Sequence, residues 1–242
     1  MQGIPLNERK RLGALLDDRP QTEVMAMIPQ FSQAETDNFV APPAKIPEAL
    51  GVLMFNMERG VNLPEIQEFL RDCPDIQPFD VILANELDDG CARSGNKNTA
   101  RELAQAFGLN YAWGLEFIEL VNDENAKGFH GNAVFSRWPI RRAGVIRLPE
   151  QYNWYFDRQK RIGGRLAVFA ELDVGGQPVG AVSIHLENRT HGEGRKAQMA
   201  AILEAVRKEL PDMPLILPTP STAGPRRTSA PSRPIPLCAA AA

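Results

Sequence analysis

Apolar and polar positions change period along this chain, and the change marks out its elements. Leu166, Val168, Ala170, Leu172 and Val174 alternate with Arg165, Ala167, Phe169, Glu171 and Asp173, a period of two that predicts a strand with one wholly apolar face. Gly175-Gly176 follows; two glycines tolerate the positive φ of a tight turn, so the run from Val179 to Leu186 is expected to return antiparallel. That run is apolar at nearly every position, as in a strand covered on both faces. It ends at His185, which shares a face with Ser183. After a polar loop, Met199, Ile202, Leu203, Val206 and Leu210 recur at helical spacing. Arg195 falls on the same stripe, so Arg195 and Gln198 are expected to point back toward the sheet.

The earlier chain carries the same two signals in alternation. Gly51-Val-Leu-Met-Phe-Asn56 reads as a strand, followed by a helix from Leu63 to Arg71 with Pro64 in its first turn, where a missing N–H costs little. Asp80-Val-Ile-Leu-Ala-Asn-Glu86 is a second strand ending in a carboxylate, and Thr99 to Phe107 a second helix closed by Gly108. Tyr111 to Val121 reads as one or two strands and Gly131-Asn-Ala-Val-Phe-Ser136 as another. Residues 1–18 suit a short helix, and Pro20, Pro29, Pro42, Pro43 and Pro47 mark 19–47 as irregular. Strand-helix units followed by antiparallel hairpins predict an α/β fold of two packed β-sheets with outer helices, a four-layer sandwich. The expected division is a leader over 1–48, a domain over 49–217 and a tail over 218–242.

The tail differs in composition. Pro218 to Ala242 holds six prolines, six alanines and three arginines, with no Asp or Glu after Asp212. Such a segment lacks the apolar periodicity that offsets ordering entropy, so disorder is expected there. Over the whole chain, a net charge of −3 and a pI near 5.7 exclude a dedicated nucleic-acid coat or membrane-surface protein. Locally, however, Arg137, Arg141, Arg142, Arg147, Arg158, Lys160, Arg161 and Arg165 stand against only Glu150 and Asp157, which suits an anion site. Taken singly, the arginines other than Arg165 read as a solvated face. Cys73, Cys91 and Cys238 form no C-x-x-C pair, which argues against a disulfide framework or structural zinc. With a charged N-terminus and no long apolar run, the expected setting is the cytoplasm, without a membrane span.

Asn56, Glu86, Arg137 and His185 all fall at strand exits, and polar residues at strand ends gather at one rim. In this order, Val52-Leu-Met-Phe-Asn56, Asp80 to Glu86, Gly131-Asn-Ala-Val-Phe-Ser-Arg137 with Pro139, and Ser183-Ile-His-Leu186 followed by Arg195-Lys-Ala-Gln198 resemble the endonuclease/exonuclease/phosphatase superfamily of metal-dependent phosphoesterases. The resemblance covers roughly Ala49 to Leu217. The usual Gln before the motif glutamate is Asn85 here.

The resemblance implies roles. Glu86 would hold a magnesium or manganese ion, with Asn56 beside it in the metal and phosphate shell; hard divalent cations favour such oxygen ligands. His185 would act on the phosphate side, oriented by Glu116 on the strand Gly114-Leu-Glu-Phe-Ile118, and Arg165 would grip the substrate phosphate as a bidentate donor. The substrate would be a phosphoester: a nucleic acid, a phospholipid head group or a small phosphate ester. The chain departs from the family after Leu217. The family continues into Gly-Asp-x-Asn and ends in an Asp-His pair, whereas here Pro-Thr-Pro-Ser-Thr222 follows and no histidine lies beyond His191. Impaired turnover is therefore expected, and so is self-association through uncovered strands. A frameshift in the gene and a natural truncation both account for the switch, and the alternative function is a non-catalytic remnant that binds metal or phosphate.

Overall fold

The computed structural model describes residues 1–218, so the expectation of a disordered tail lies, past Pro218, outside the described residues. In chain order the elements are α1 (Leu6–Ala14), α2 (Gln21–Ala26), β1 (Ala34–Asp37), β2 (Val52–Arg59), α3 (Leu63–Asp72), β3 (Val81–Asp89) and α4 (Thr99–Phe107). Then come β4 (Asn110–Glu119), β5 (Phe129–Ser136), β6 (Ile140–Arg147), β7 (Arg161–Gly163), β8 (Leu166–Val174), β9 (Gln177–Ile184), α5 (Gly192–Glu209) and β10 (Leu215–Ile216).

The strands form two sheets. One has the order β1-β4-β5-β3-β2, with β7 also pairing with β4; the other is β10-β9-β8-β6. Among the described residues, only β2 with β3 and β10 with β9 run parallel. Side-chain alternation then builds the layers. On β3, Ile82 and Ala84 face a core shared with Leu63 and Leu70 of α3, Leu103 of α4 and Leu12 of α1. Val81 and Leu83 face the second sheet, meeting Leu166, Val168, Ala170 and Leu172 of β8. The opposite face of β8, Ala167 and Phe169, packs with Val182 under Ile202, Val206 and Leu210 of α5 and the turn that follows it. The result is the four-layer arrangement of helices, sheet, sheet and helix. Each fully buried Leu, Ile or Phe contributes about 1.5–3 kcal/mol, so the layers are held chiefly by these three apolar cores.

Local signals set several boundaries. Gly108 takes φ 59° at the end of α4, and Gly175 and Gly176 take 60° and 91° in the β8–β9 hairpin, a region that favours residues without a Cβ. The stretch read as irregular over 19–47 instead contains α2 and β1. Val24, Ile28 and Phe31 are buried in the first core, and β1 pairs antiparallel with β4 from Ala34 opposite Gly114 to Asp37 opposite Tyr111. Its sequence, Ala-Glu-Thr-Asp, has no apolar alternation; its strand geometry comes from the edge of β4 that it covers.

Candidate functional site

Three irregularities line up across the first sheet. Between Asn56 and Arg59, β2 carries one residue more than its partner β3; between Ala84 and Leu87, β3 carries one more than β5; between Leu115 and Phe117, β4 carries one more than β5. Glu58, Arg59 and Glu86 accordingly sit at φ 47°, 68° and 59°, a left-handed conformation that side chains other than glycine rarely adopt. A bulge turns a side chain away from ordinary alternation. Here the bulges aim Glu86 and Glu116 toward the end of β9, where His185 leaves the second sheet.

At that rim, Nε2 of His185 lies 3.8 Å from Glu86 Oε1 and its Nδ1 lies 3.3 Å from Glu116 Oε2. Asn56 stands one strand away, opposite Asn85, and donates a side-chain hydrogen bond to Glu86 while its Oδ1 accepts from the Glu58 amide at 2.9 Å. The Glu86 amide donates to Asn132 Oδ1 at 3.1 Å, whereas the buried Asn132 Nδ2 has no partner. The two sheets are stitched together directly behind the rim. Asn85 Nδ2 donates to the Ile184 carbonyl at 3.0 Å, and the single Ser183 hydroxyl hydrogen is shared between the Ala84 carbonyl at 3.0 Å and Asn85 Oδ1 at 3.1 Å. Asn85 thus joins one sheet to the other.

Behind His185 the polar groups continue inward as a buried chain. His130 lies with Nδ1 2.9 Å from Asp88 Oδ1 and Nε2 3.7 Å from Glu116 Oε2. Asp88 also accepts two hydrogen bonds from Arg93, at 2.7 and 2.8 Å. Burial opposes ionisation of all three carboxyls, Glu86, Glu116 and Asp88, yet hydrogen bonds and nearby cations outweigh it. For Glu86 the opposing influences are the bond from Asn56 and the fields of His130, His185 and Arg59, and its pKa ends below the ordinary value. Glu116, fully buried, is held well below the carboxylate range by His185 and Arg165. Asp88 is lowered to about 2 by Arg93 and His130.

Arg165 departs from its expected place. It is buried, with Nη1 3.0 Å from Glu116 Oε1 and Nε 3.3 Å from Glu187 Oε2, and its guanidinium lies over the rings of Phe117 and Trp154. Nη1 also approaches the His185 ring, 3.0 Å from Nδ1. The arginine therefore braces Glu116 and His185 from within the protein through Nε and Nη1. Arg161 corrects the reading of a solvated face as well: it is buried, 3.1 Å from Glu119. Gln198 does point inward, accepting from the Glu187 amide at 2.9 Å, but Arg195 is exposed and donates to the Thr190 carbonyl.

Sequence reasoning passed over His130, Asp88, Arg93 and Glu187. The one available signal was a histidine directly before Gly131-Asn-Ala, since imidazole rarely enters a core without polar partners. Among the described residues, no group of three or more His, Cys, Asp or Glu side chains is arranged to hold a metal ion. The donors that suit a hard cation at the rim are the half-exposed Glu86 carboxylate and the exposed Asn56 amide. Two oxygens match an ion that keeps most of its water, as magnesium does.

The fold and site together define a two-sheet α/β sandwich with a carboxylate–histidine rim. No protein-family profile matches the chain, and no curated protein does. Solved structures do. An endonuclease/exonuclease/phosphatase from Beutenbergia cavernae is 22% identical, with 63% of this chain and 43% of that one covered, at a TM-score of 0.47. A family protein of the same description from Leptotrichia buccalis is 20% identical, over 65% of this chain and 63% of that one, at 0.44. The human Nocturnin catalytic domain, solved with a bound sulfate anion, is 19% identical over 77% and 66%, at 0.48. The chain thus spans 43% and 63% of the length of the first two.

Proposed function

We propose that this chain carries the metal and phosphate-side part of a phosphoester hydrolase of the endonuclease/exonuclease/phosphatase kind. The observation that carries the reading is the meeting of Glu86, Asn56 and His185 at one rim, with Glu116 buried behind the histidine. Glu86 and Asn56 would hold magnesium or manganese; when bound, such an ion polarises a phosphoryl oxygen. Glu116 Oε2 at 3.3 Å from Nδ1, and Arg165 Nη1 at 3.0 Å from Nδ1 and 3.2 Å from Nε2, orient the imidazole in this reading, and Nε2 is the ring nitrogen on the Glu86 side of the rim. Protonated at Nε2, His185 donates to a phosphoryl oxygen. Arg165 is a positioning residue in this scheme, holding Glu116 and the imidazole in register. Asn132 Nδ2, buried beside Glu86 without a partner, is a further donor suited to an oxyanion or to water.

The test is hydrolysis of bis(p-nitrophenyl) phosphate with and without magnesium, followed by single-stranded DNA, sphingomyelin and sugar phosphates to sort the substrate class. A magnesium-dependent rate lost in both Glu86→Gln and His185→Ala, with melting unchanged, is the expected result. A rate that survives both substitutions overturns the assignment. One observation favours a second reading, binding without turnover: Leu217 is followed directly by Pro-Thr-Pro-Ser-Thr222 in place of Gly-Asp-x-Asn. Calorimetry then shows magnesium or phosphate bound by the wild type and lost in Glu86→Gln, with no hydrolysis.

A further inference from the structure

A second cavity lies away from the rim, between the N-terminal segment and the second sheet. Its volume is about 630 Å³, within the range of about 300–1,000 Å³ typical of small-molecule sites. Met25, Ala26, Phe31, Leu148, Pro149 and Ala201 supply mostly apolar walls. One charged group stands in that wall without a carboxylate. Arg147, at the end of β6, directs Nε to the Phe31 carbonyl at 2.8 Å, Nη1 to the Gly164 carbonyl at 3.1 Å and Nη2 to the Leu115 carbonyl, with its guanidinium 4.8 Å from the centre of the Phe31 ring. All these partners are neutral, and among the described residues no ion pair reaches Arg147.

Two other charged groups line the cavity. Arg165, at the inner end, serves Glu116 and Glu187, and Glu150 at the exposed edge accepts from Gln21 at 3.2 Å. Crowding by the surrounding protein pulls the Arg147 pKa down to about 9, only partly offset by the field of Glu116. A guanidinium has five N–H donors, and the three carbonyls leave some unused. Arg147 is half-buried and has no carboxylate partner, and a ligand anion would add charge-assisted hydrogen bonds to its unused donors.

We infer that this cavity binds an amphipathic monoanion, a single carboxylate on a hydrocarbon body, with the head on Arg147 and the body along Met25, Phe31 and Leu148. Arg147 offers its unused donors to the negative head, the Glu150 carboxylate stands at the exposed edge, and the apolar walls match the body. This inference does not rest on the hydrolase reading, since its readout is binding.

The test uses the full chain and three probes of equal length below their micelle concentrations: decanoate, decanol and decyltrimethylammonium. Calorimetry is expected to give saturable one-to-one binding of decanoate, at least about tenfold tighter than either of the others. Arg147→Gln should remove that preference. Because Arg147 holds three carbonyls and its loss could unfold the protein, Ala26→Trp serves as the second variant; Ala26 is exposed at the mouth, so the indole blocks entry without disturbing the core. It should abolish decanoate binding at an unchanged melting temperature. Equal binding of the three probes overturns the inference, as does decanoate binding that survives Ala26→Trp. Sedimentation showing a dimer that decanoate cannot dissociate, with Ala26→Trp restoring the monomer, would assign the cavity to a second copy of the chain and overturn it equally.

Discussion

Replacing Asp88 by Asn tests the buried chain behind the rim where its energetics are clearest. The carboxylate is fully buried and accepts from Arg93 twice, from Ser94 Oγ at 3.2 Å, and contacts His130 at 2.9 Å. Burial alone would raise its pKa; Arg93 and His130 reverse that and bring it from 3.8 to about 2. A group whose folded pKa is depressed adds stability above its unfolded pKa and loses it as pH falls through the folded value. At roughly 1.4 kcal/mol for each pH unit, Asp88 adds about 2–3 kcal/mol at neutral pH. About half of that is gone near pH 3, and nearly all of it near pH 1. Asn cannot supply the charge and leaves Arg93 with only Glu119 as an ionic partner, at 3.0 Å. Urea unfolding at pH 7 should therefore show Asp88→Asn less stable by about 2–4 kcal/mol, the upper end reflecting the broken buried pair. Between pH 4 and the lowest pH at which both proteins fold, the variant should lose less stability than the wild type. Parallel acid profiles, or a variant as stable as wild type at pH 7, would refute this account of the buried chain.

Gly163→Ala should destabilise strongly, because φ there is 125° and the new Cβ would stand 2.2 Å from the Glu116 carbonyl oxygen. The backbone alone accounts for about 1–3 kcal/mol, and a melting temperature equal to wild type would contradict it. Asn85→Ala removes the amide that joins the sheets and should cost about 1–3 kcal/mol by chemical denaturation; a cost near zero would mean that Ser183 and Ile184 find other partners. Cys91, buried with its thiol donating to the Phe129 carbonyl at 3.3 Å and its pKa pushed up by burial, should resist thiol reagents at pH 8 until the protein opens. Stoichiometric labelling of Cys91 in the native state would show the site to be more open than described.

Much of the fold was legible because its signals are local. The Gly175-Gly176 turn, the Gly108 cap and the first-turn Pro64 each act within a few residues, and α4 runs from Thr99 to Phe107 as its pattern predicts. Both faces of β8 are buried, and the alternation that predicted one apolar face also held Ala167 and Phe169, which α5 covers. Where the structure departs from the sequence reading, a distant partner decides. β1 is a strand because β4 offers it an edge, and α2 is anchored where Val24 joins a core built from residues far along the chain.

The candidate site divides the same way. The sequence by itself marked Asn56, Glu86 and His185, with the motif order that suggests phosphoester chemistry. His185 does follow the end of β9, whereas β2 and β3 run on past Asn56 and Glu86 to Arg59 and Asp89, with bulges at those points. Only the tertiary structure decided that Arg165 and Arg161 lie inside, that Arg195 faces solvent, and that His130 links Asp88 to Glu116. An arginine is stable in either setting. Its place depends on whether a carboxylate and an aromatic face are brought to it, and Glu116 and Glu187 reach Arg165 from 49 and 22 residues away. The three aligned bulges were equally hidden. One extra residue in a strand barely alters an apolar pattern, yet it redirects the side chain there, and that redirection sets Glu86 and Glu116 against His185.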